Sequence, residues 1–156
     1  MPIKVLFVCH GNICRSPMAE LMMKKRVKDL GLEDDFYIAS AATTTEEIWG
    51  ERGNPVYPPA REKLAEHGIS SSGKYATLLL RSDYDKYDYI IGMDNENKRG
   101  MLRICGGDPE GKISLLMDYT DRPRSVADPW YTRDFETTYR DIDEGLNGLL
   151  KFLNVI

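Results

Sequence analysis

The stretch Val5–Glu20, VLFVCHGNICRSPMAE, decides how the chain is read. Four apolar, strand-forming residues run into Cys9, a Gly-Asn pair turns the chain, and Arg15, Ser16 and Pro17 follow where a helix should begin. With Ile3 and Lys4 ahead of it, the run to Cys9 is close to continuously apolar, the pattern of a central parallel strand buried on both faces. Ser16 suits an N-cap and Pro17 the first helical position. Ala19, Met23, Val27 and Leu30 then recur at helical spacing until Gly31 breaks the pattern.

The connection between strand and helix has the makings of an anion site. Gly11 and Asn12 are the residue types that best adopt left-handed backbone, so a loop through them can turn its N–H groups inward as a concave nest. The start of the following helix adds a positive end, and a tetrahedral oxyanion such as phosphate fits that field. Arg15 can hold two phosphate oxygens in a fork. Cys9 lies at the floor, where N–H donors, the helix end and the guanidinium all favour the thiolate. The Ser16 hydroxyl is placed to hydrogen-bond that thiolate when it leaves. The bland alternative makes Cys9 a small hydrophobe, Arg15 a surface charge and Ser16 a cap; the strand before and the helix after favour the chemical reading. A Walker-type nucleotide loop is a poor fit, because the Gly-Lys-Ser/Thr ending is missing. Cys9 and Cys14 are too far apart for a thioredoxin-like pair, and with His10 they are too few for zinc.

The remaining segments alternate in type. FYIAS (36 to 40) reads as a second strand ending at Ser40, followed by a long loop from Ala41 to Pro59 that contains Trp49. PAREKLAEHG (59 to 68) reads as a helix with Leu64 and Ala65 inward. YDYIIGM (87 to 93) is a strand, with Asp94 capping a helix that runs to about Ile104. KISLLMDY (112 to 119) is a fourth strand, and Phe135, Tyr139, Ile142, Leu146, Leu149 and Leu153 form one face of a last helix. This order predicts an α/β fold: three layers, a four-stranded parallel sheet with helices on both faces, and the phosphate-binding loop after the first strand. Ligands of such sheets bind at the carboxyl ends of the strands, where Cys9, Ser40 and Asp94 are expected.

The length of 156 residues suits one domain spanning 1 to 156, and 42% hydrophobic residues suffice for its core. A net charge of -4 argues against nucleic acid as a partner, so any anion site must be local. Three cysteines cannot all pair, and neither a signal peptide nor an apolar stretch of membrane-spanning length is apparent. The expected compartment is the cytoplasm, without membrane insertion.

A thiolate that attacks an aryl phosphate expels a phenolate, and phenol's pKa of about 10 makes protonation of that group valuable. Among the acidic residues, Asp128 is the best candidate, since Ala127-Asp128-Pro129-Trp130-Tyr131 places it in a proline-stiffened loop beside two aromatic rings. The competing reading is a turn aspartate preceding proline.

CHGNICRS (9 to 16) directly after VLFV, together with DPWY (128 to 131), resembles the low-molecular-weight protein tyrosine phosphatases. The similarity extends through the serine of the second strand, the tryptophan of the following loop, KLAEHGI (63 to 69) and DYIIGMD (88 to 94). The resemblance implies hydrolysis of phosphotyrosine in protein substrates, with inorganic phosphate as product and no metal or cofactor. Cys9 would attack phosphorus, Arg15 would bind the transition state and Asp128 would act as general acid and then base. Residues His10, Gly11, Asn12, Ile13, Cys14, Arg15 and Ser16 would surround the phosphate, with Asn12, Ser40 and His67 bracing the loop. Substrate discrimination would map onto Ile13, Trp49, Trp130 and Tyr131. In the related protein-arginine phosphatases a threonine occupies the place of Ile13, so the apolar side chain favours phosphotyrosine. Cys14 resembles a second loop cysteine that pairs with the nucleophile under peroxide. His10 replaces the small or aliphatic residue usual after the nucleophile and faces either substrate or solvent. Arsenate reductases share the fold and loop but use a further cysteine pair, which TLLLRSDYDKYDYII (77 to 91) lacks. A pocket that binds phosphotyrosine without turnover is the alternative outside enzymes. The expected assembly is a monomer or a weak dimer.

Overall fold

The computed structural model describes all residues from Met1 to Ile156. Strand β1 (Ile3–Cys9) is buried on both faces from Val5 onward, and its side chains separate by the two-residue period of a strand. Val5, Phe7 and Cys9 enter one core; Leu6 and Val8 enter a second on the opposite face. Helix α1 (Arg15–Asp29) and strand β2 (Phe36–Ala42) complete the first crossover, and β2 lies parallel to β1 with Phe7 beside Ser40.

Helix α1 starts earlier than the sequence suggested. Its N-cap is Cys14, without a side-chain cap, so Ser16 and Pro17 are the second and third helical residues. Proline is tolerated there because first-turn N–H groups have no intrahelical acceptor. Leu30 falls after the helix and is exposed, while Gly31 at φ 74° turns the chain away.

The long segment after β2 is partly structured. β2 continues past Ser40 to Ala42, and a small antiparallel hairpin pairs β3 (Ile48–Trp49) with β4 (Arg52–Gly53). Helix α2 (Pro58–Glu66) turns Ala60 and Leu64 inward, leaving Ala65 exposed. After the short helix α3 (Asp83–Lys86), β5 (Tyr89–Gly92) pairs with the other side of β1, and α4 (Asn95–Cys105) follows. Asp94 caps α4 through a bond from the Asn97 N–H, 2.8 Å, as its position predicts.

Strand β6 (Ile113–Leu115) is shorter than expected. Asp118 accepts the Leu115 N–H at 3.0 Å and turns residues 116 to 119 into a 3-10 helix, which buries Leu116 and Met117 completely. Helix α5 (Pro129–Thr132) is one turn, and α6 (Phe135–Phe152) carries the predicted apolar face, with Ile142, Leu146 and Leu149 fully buried.

The sheet is parallel and four-stranded, in the order β2-β1-β5-β6. Helices α1 and α6 cover the core that holds Phe7, and Met101 and Cys105 of α4 cover the core that holds Leu6 and Val8. The chain leaves β1 toward β2 on one side and returns through β5 on the other, which opens a crevice at the carboxyl ends of β1 and β5. Cys9 and Asp94 lie at its edges. No helix is long and apolar enough to cross a membrane.

Candidate active site

The loop between Cys9 and α1 is shaped by where its carbonyls go. Those of Cys9, His10 and Ile13 accept the N–H groups of Thr43, Thr44 and Tyr57, and that of Cys14 accepts the N–H of Met18. None of the N–H groups of residues 11 to 14 donates to a protein acceptor. The outward carbonyls and the uncommitted N–H groups describe a nest of donors beneath the positive end of α1.

The left-handed residue of the loop is Asn12, at φ 57°; Gly11 does not share that conformation. Asn12 is 1% exposed. Its Nδ2 donates to Ser16 Oγ at 2.7 Å and to Ser40 Oγ at 2.9 Å, and its Oδ1 accepts the Thr77 N–H at 3.0 Å. Gly11 serves a close approach instead, since a Cβ there would lie 3.1 Å from Glu47 Cγ.

Cys9 Sγ lies 3.0 Å from Ser16 Oγ. This explains why Ser16 does not cap α1: its hydroxyl is turned to the sulfur and to Asn12. Cys14 is also buried, and its thiol is pushed well above the ordinary range by burial first and by the neighbouring Cys9 and Asp128 next.

Arg15 is 3% exposed. Its Nη1 donates to Asp94 Oδ2 at 2.7 Å and to the Val126 carbonyl at 3.0 Å, and Nη2 lies 3.5 Å from Asp128 Oδ2. Burial alone would favour the neutral guanidinium, but Cys9, Asp128 and Asp94 together hold it more firmly protonated than usual. Asp128 caps α5 by accepting the Trp130 N–H through Oδ1, 3.0 Å, which leaves Oδ2 facing Arg15. Its loop is tied down where Val126 N–H meets the Met93 carbonyl and Thr138 Oγ1 donates to the Ala127 carbonyl.

These groups line one cleft of about 310 Å³. Cys9, His10, Gly11, Ile13, Cys14 and Arg15 form its floor and sides, with Asp128, Trp130 and Tyr131 opposite. Trp130 packs against Tyr57 with ring centroids 5.1 Å apart, while Tyr131 is among the most exposed aromatics of the chain. His10 Nε2 meets Glu46 Oε2 at 2.7 Å.

Asn12 and Ser16, expected around the phosphate, are buried and do not line the cleft, and two other expected residues lie elsewhere. Trp49 does not line the cleft; it sits on the hairpin, and its indole N–H closes onto the Glu46 carbonyl at 3.2 Å. Glu46 and Glu47 of that segment reach the cleft instead. His67 is not part of the network around Asn12: it follows α2, is exposed, and stacks on Tyr139 with centroids 3.9 Å apart. The place beyond Ser40 is taken by Glu20, whose Oε1 accepts the Ser40 hydroxyl at 2.6 Å. Asp94, Glu96 and Asn97 are further lining residues, and only Asp94 carried a sequence signal, as a helix cap after a strand.

The family model described as low molecular weight phosphotyrosine protein phosphatase matches residues 4–155. The chain is 39% identical over 150 residues to the low molecular weight protein-tyrosine-phosphatase YfkJ of Bacillus subtilis, covering 95% of this chain and 94% of that one. The crystal structure of YfkJ superimposes with a TM-score of 0.87, covering 99% of this chain and 96% of the other at 38% identity. Identity to the low molecular weight phosphotyrosine protein phosphatase of Gallus gallus is 40% over 140 residues, 86% of this chain and 85% of that one. A Drosophila arginine phosphatase shares the fold at 28% identity and a TM-score of 0.84, over 97% of this chain and 98% of its own. With a parallel sheet that ends in this loop and similarity along almost its whole length, the chain belongs to the low molecular weight phosphotyrosine protein phosphatase family and is a phosphatase.

Proposed function

We propose that the chain removes phosphate from tyrosine in proteins through a phosphocysteine intermediate. The observation that carries this reading is the convergence of Cys9, Arg15 and Asp128 on one cleft above a loop of uncommitted N–H groups. The phosphoryl oxygens accept from those N–H groups and from Arg15, which also balance the charge gathered in the transition state. Cys9 Sγ attacks phosphorus, the ester oxygen leaves, and protonated Asp128 supplies its proton so that a neutral phenol departs. Asp128, now a carboxylate, takes a proton from water as the water attacks the thiophosphate. Inorganic phosphate and the Cys9 thiolate result, and the Ser16 hydroxyl stabilises that thiolate as it leaves.

Ile13 and Trp130 supply apolar surface for the aryl ring. Each step is assigned to a side chain or a backbone N–H, so chelators should leave the rate unchanged. The working unit is read as a single cytoplasmic domain.

A second reading, phosphoarginine hydrolysis, draws on Glu46 and Glu47, two acidic residues among those lining the cleft, whose charge suits a guanidinium leaving group. A rate comparison on phosphotyrosine, phosphoserine and phosphoarginine peptides with EDTA present separates the two. Phosphotyrosine is expected to be fastest; a faster phosphoarginine peptide would overturn the preference, and rates abolished by EDTA would overturn the mechanism.

A further inference from the structure

Three residues other than glycine have a left-handed backbone: Asn12, Arg133 and Asn154. Asparagine tolerates that conformation through its short polar side chain, and arginine does not. Arg133 nevertheless takes it, at φ 60°, as the residue that ends α5 and whose N–H closes onto the Pro129 carbonyl at 2.9 Å. Glycine would fit the same turn without strain. A strained residue beside an active site is held by its surroundings, so its side-chain contacts tell what the strain secures.

Those contacts are not with a carboxylate. Asp134, the next residue, gives its carboxylate to the Thr137 N–H and hydroxyl, and Glu136 is engaged by Lys63 and Arg140. The Arg133 guanidinium lies instead over Trp130, with its carbon 5.3 Å from the ring centre, and Nη1 donates to the Tyr57 hydroxyl at 3.0 Å. Tyr57 itself packs on Trp130, so the indole is gripped by a ring and a cation that are bonded to each other. The backbone N–H of Tyr57 donates to the Ile13 carbonyl at 2.9 Å, which fixes this grip to the phosphate-binding loop. Trp130 lines the cleft, whereas Tyr57 and Arg133 stand behind it. An indole with 45% of its surface exposed loses rotamer freedom when it is held as a wall, and the two contacts offset that loss.

We propose that Arg133 is a positioning residue that locks Trp130 against Tyr57, so that the indole stands preformed as one wall of the aryl pocket. The chain accepts backbone strain at Arg133 in exchange for a wall that need not be ordered when substrate arrives. This rests on the phosphotyrosine reading, and the test keeps the two apart. The variant is Arg133→Gly, which removes the side chain while relieving the backbone; a urea midpoint checks that the fold survives. Calorimetric titration gives the Kd of benzylphosphonate, which carries an aryl ring, and of methylphosphonate, which does not. A second readout follows Trp130 itself, in a Trp49→Phe background where it is the sole tryptophan: fluorescence anisotropy and quenching by acrylamide.

Arg133→Gly should reduce the preference for benzylphosphonate over methylphosphonate about two- to fivefold, the worth of one cation–π contact at an exposed site. Methylphosphonate binding should hold, because Arg15 and the loop N–H groups are untouched. Trp130 should lose anisotropy and become easier to quench. Tyr57→Phe keeps the ring on Trp130 but removes the oxygen that accepts from Arg133, and it should move both readouts in the same direction by a smaller amount. An unchanged preference, an unchanged Trp130 signal, or equal weakening of both phosphonates would each overturn the proposal while leaving the phosphatase reading intact. If the wild-type protein binds the two phosphonates equally, the phosphotyrosine reading fails, and the clamp fails with it.

Discussion

Asn12 combines a backbone constraint with a side-chain one, and two substitutions separate them. Its φ of 57° costs a residue with Cβ roughly 1–2 kcal/mol, a cost that glycine escapes. Its side chain makes three hydrogen bonds, to Ser16, Ser40 and the Thr77 N–H. The serine hydroxyls keep other partners, Cys9 and Glu20, so the group left stranded is the Thr77 N–H. One stranded donor plus two weakened bonds amounts to about 2–4 kcal/mol, which both Asn12→Gly and Asn12→Ala should lose in urea unfolding at neutral pH. Asn12→Ala pays the left-handed cost in addition. Glycine's greater freedom in the unfolded chain offsets part of that difference, leaving alanine less stable by about 0.5–1 kcal/mol. Alanine equal to or more stable than glycine would show that the positive φ is no constraint. Losses below about 1 kcal/mol in both would show that the network does not hold the loop.

Three further outcomes follow from individual side chains. Asp128→Asn preserves the cap on Trp130 but cannot give up a proton, so it should slow phenyl phosphate by about 10²–10⁴ and p-nitrophenyl phosphate much less, because the nitrophenolate leaves unaided; equal losses would remove Asp128 as the acid. Peroxide should convert Cys9 to a sulfenic acid, which relieves the negative charge that helps keep Cys14 protonated; Cys14 then displaces water to form a disulfide, so dithiothreitol should restore activity in the wild type and fail in Cys14→Ser. Mass analysis without a Cys9–Cys14 disulfide would refute this. The third concerns acid. Glu144 is held below the ordinary glutamate value of 4.5, first by its hydrogen bonds from Arg124, which ties residues 122 to 124 to α6. The unfolded chain therefore binds more protons through that range, and this stabilisation is complete above 4.5 and lost as pH falls through the lowered folded value. Urea midpoints should drop on acidification below that value, with a shallower slope in Glu144→Gln; an identical slope would exclude the pair.

Much of the architecture was legible because it depends on local pattern. The apolar run to Cys9 marks a strand buried on both faces, and the spacing from Phe135 to Leu153 marks α6 without reference to any neighbour. The loop from Cys9 to Arg15 was legible for the same reason, its parts being adjacent in sequence. What could not be read depends on partners distant in sequence. Ser16 looks like an N-cap until Cys9 and Asn12 are brought to its hydroxyl, and β6 looks longer until Asp118 turns back on Leu115. His67 was associated with the loop by motif, yet Tyr139 of α6 captures its ring. Glu20 reads as an ordinary surface glutamate of an amphipathic helix; only the approach of β2 and of Lys74 makes it buried and directional. Glu46 and Glu47 were hidden because they lie in the turn just before the hairpin, within a segment read as loop.

The account stands on a covalent bond between Cys9 and phosphorus. Rapid quenching in acid of the protein turning over a ³²P-phosphotyrosine peptide, followed by proteolysis and mass analysis, reads that bond directly. The account predicts label on the peptide containing Cys9, accumulation of that label in Asp128→Asn with a good leaving group, and none in Cys9→Ser. Turnover with no phosphoenzyme, or with label on any other residue, would contradict it.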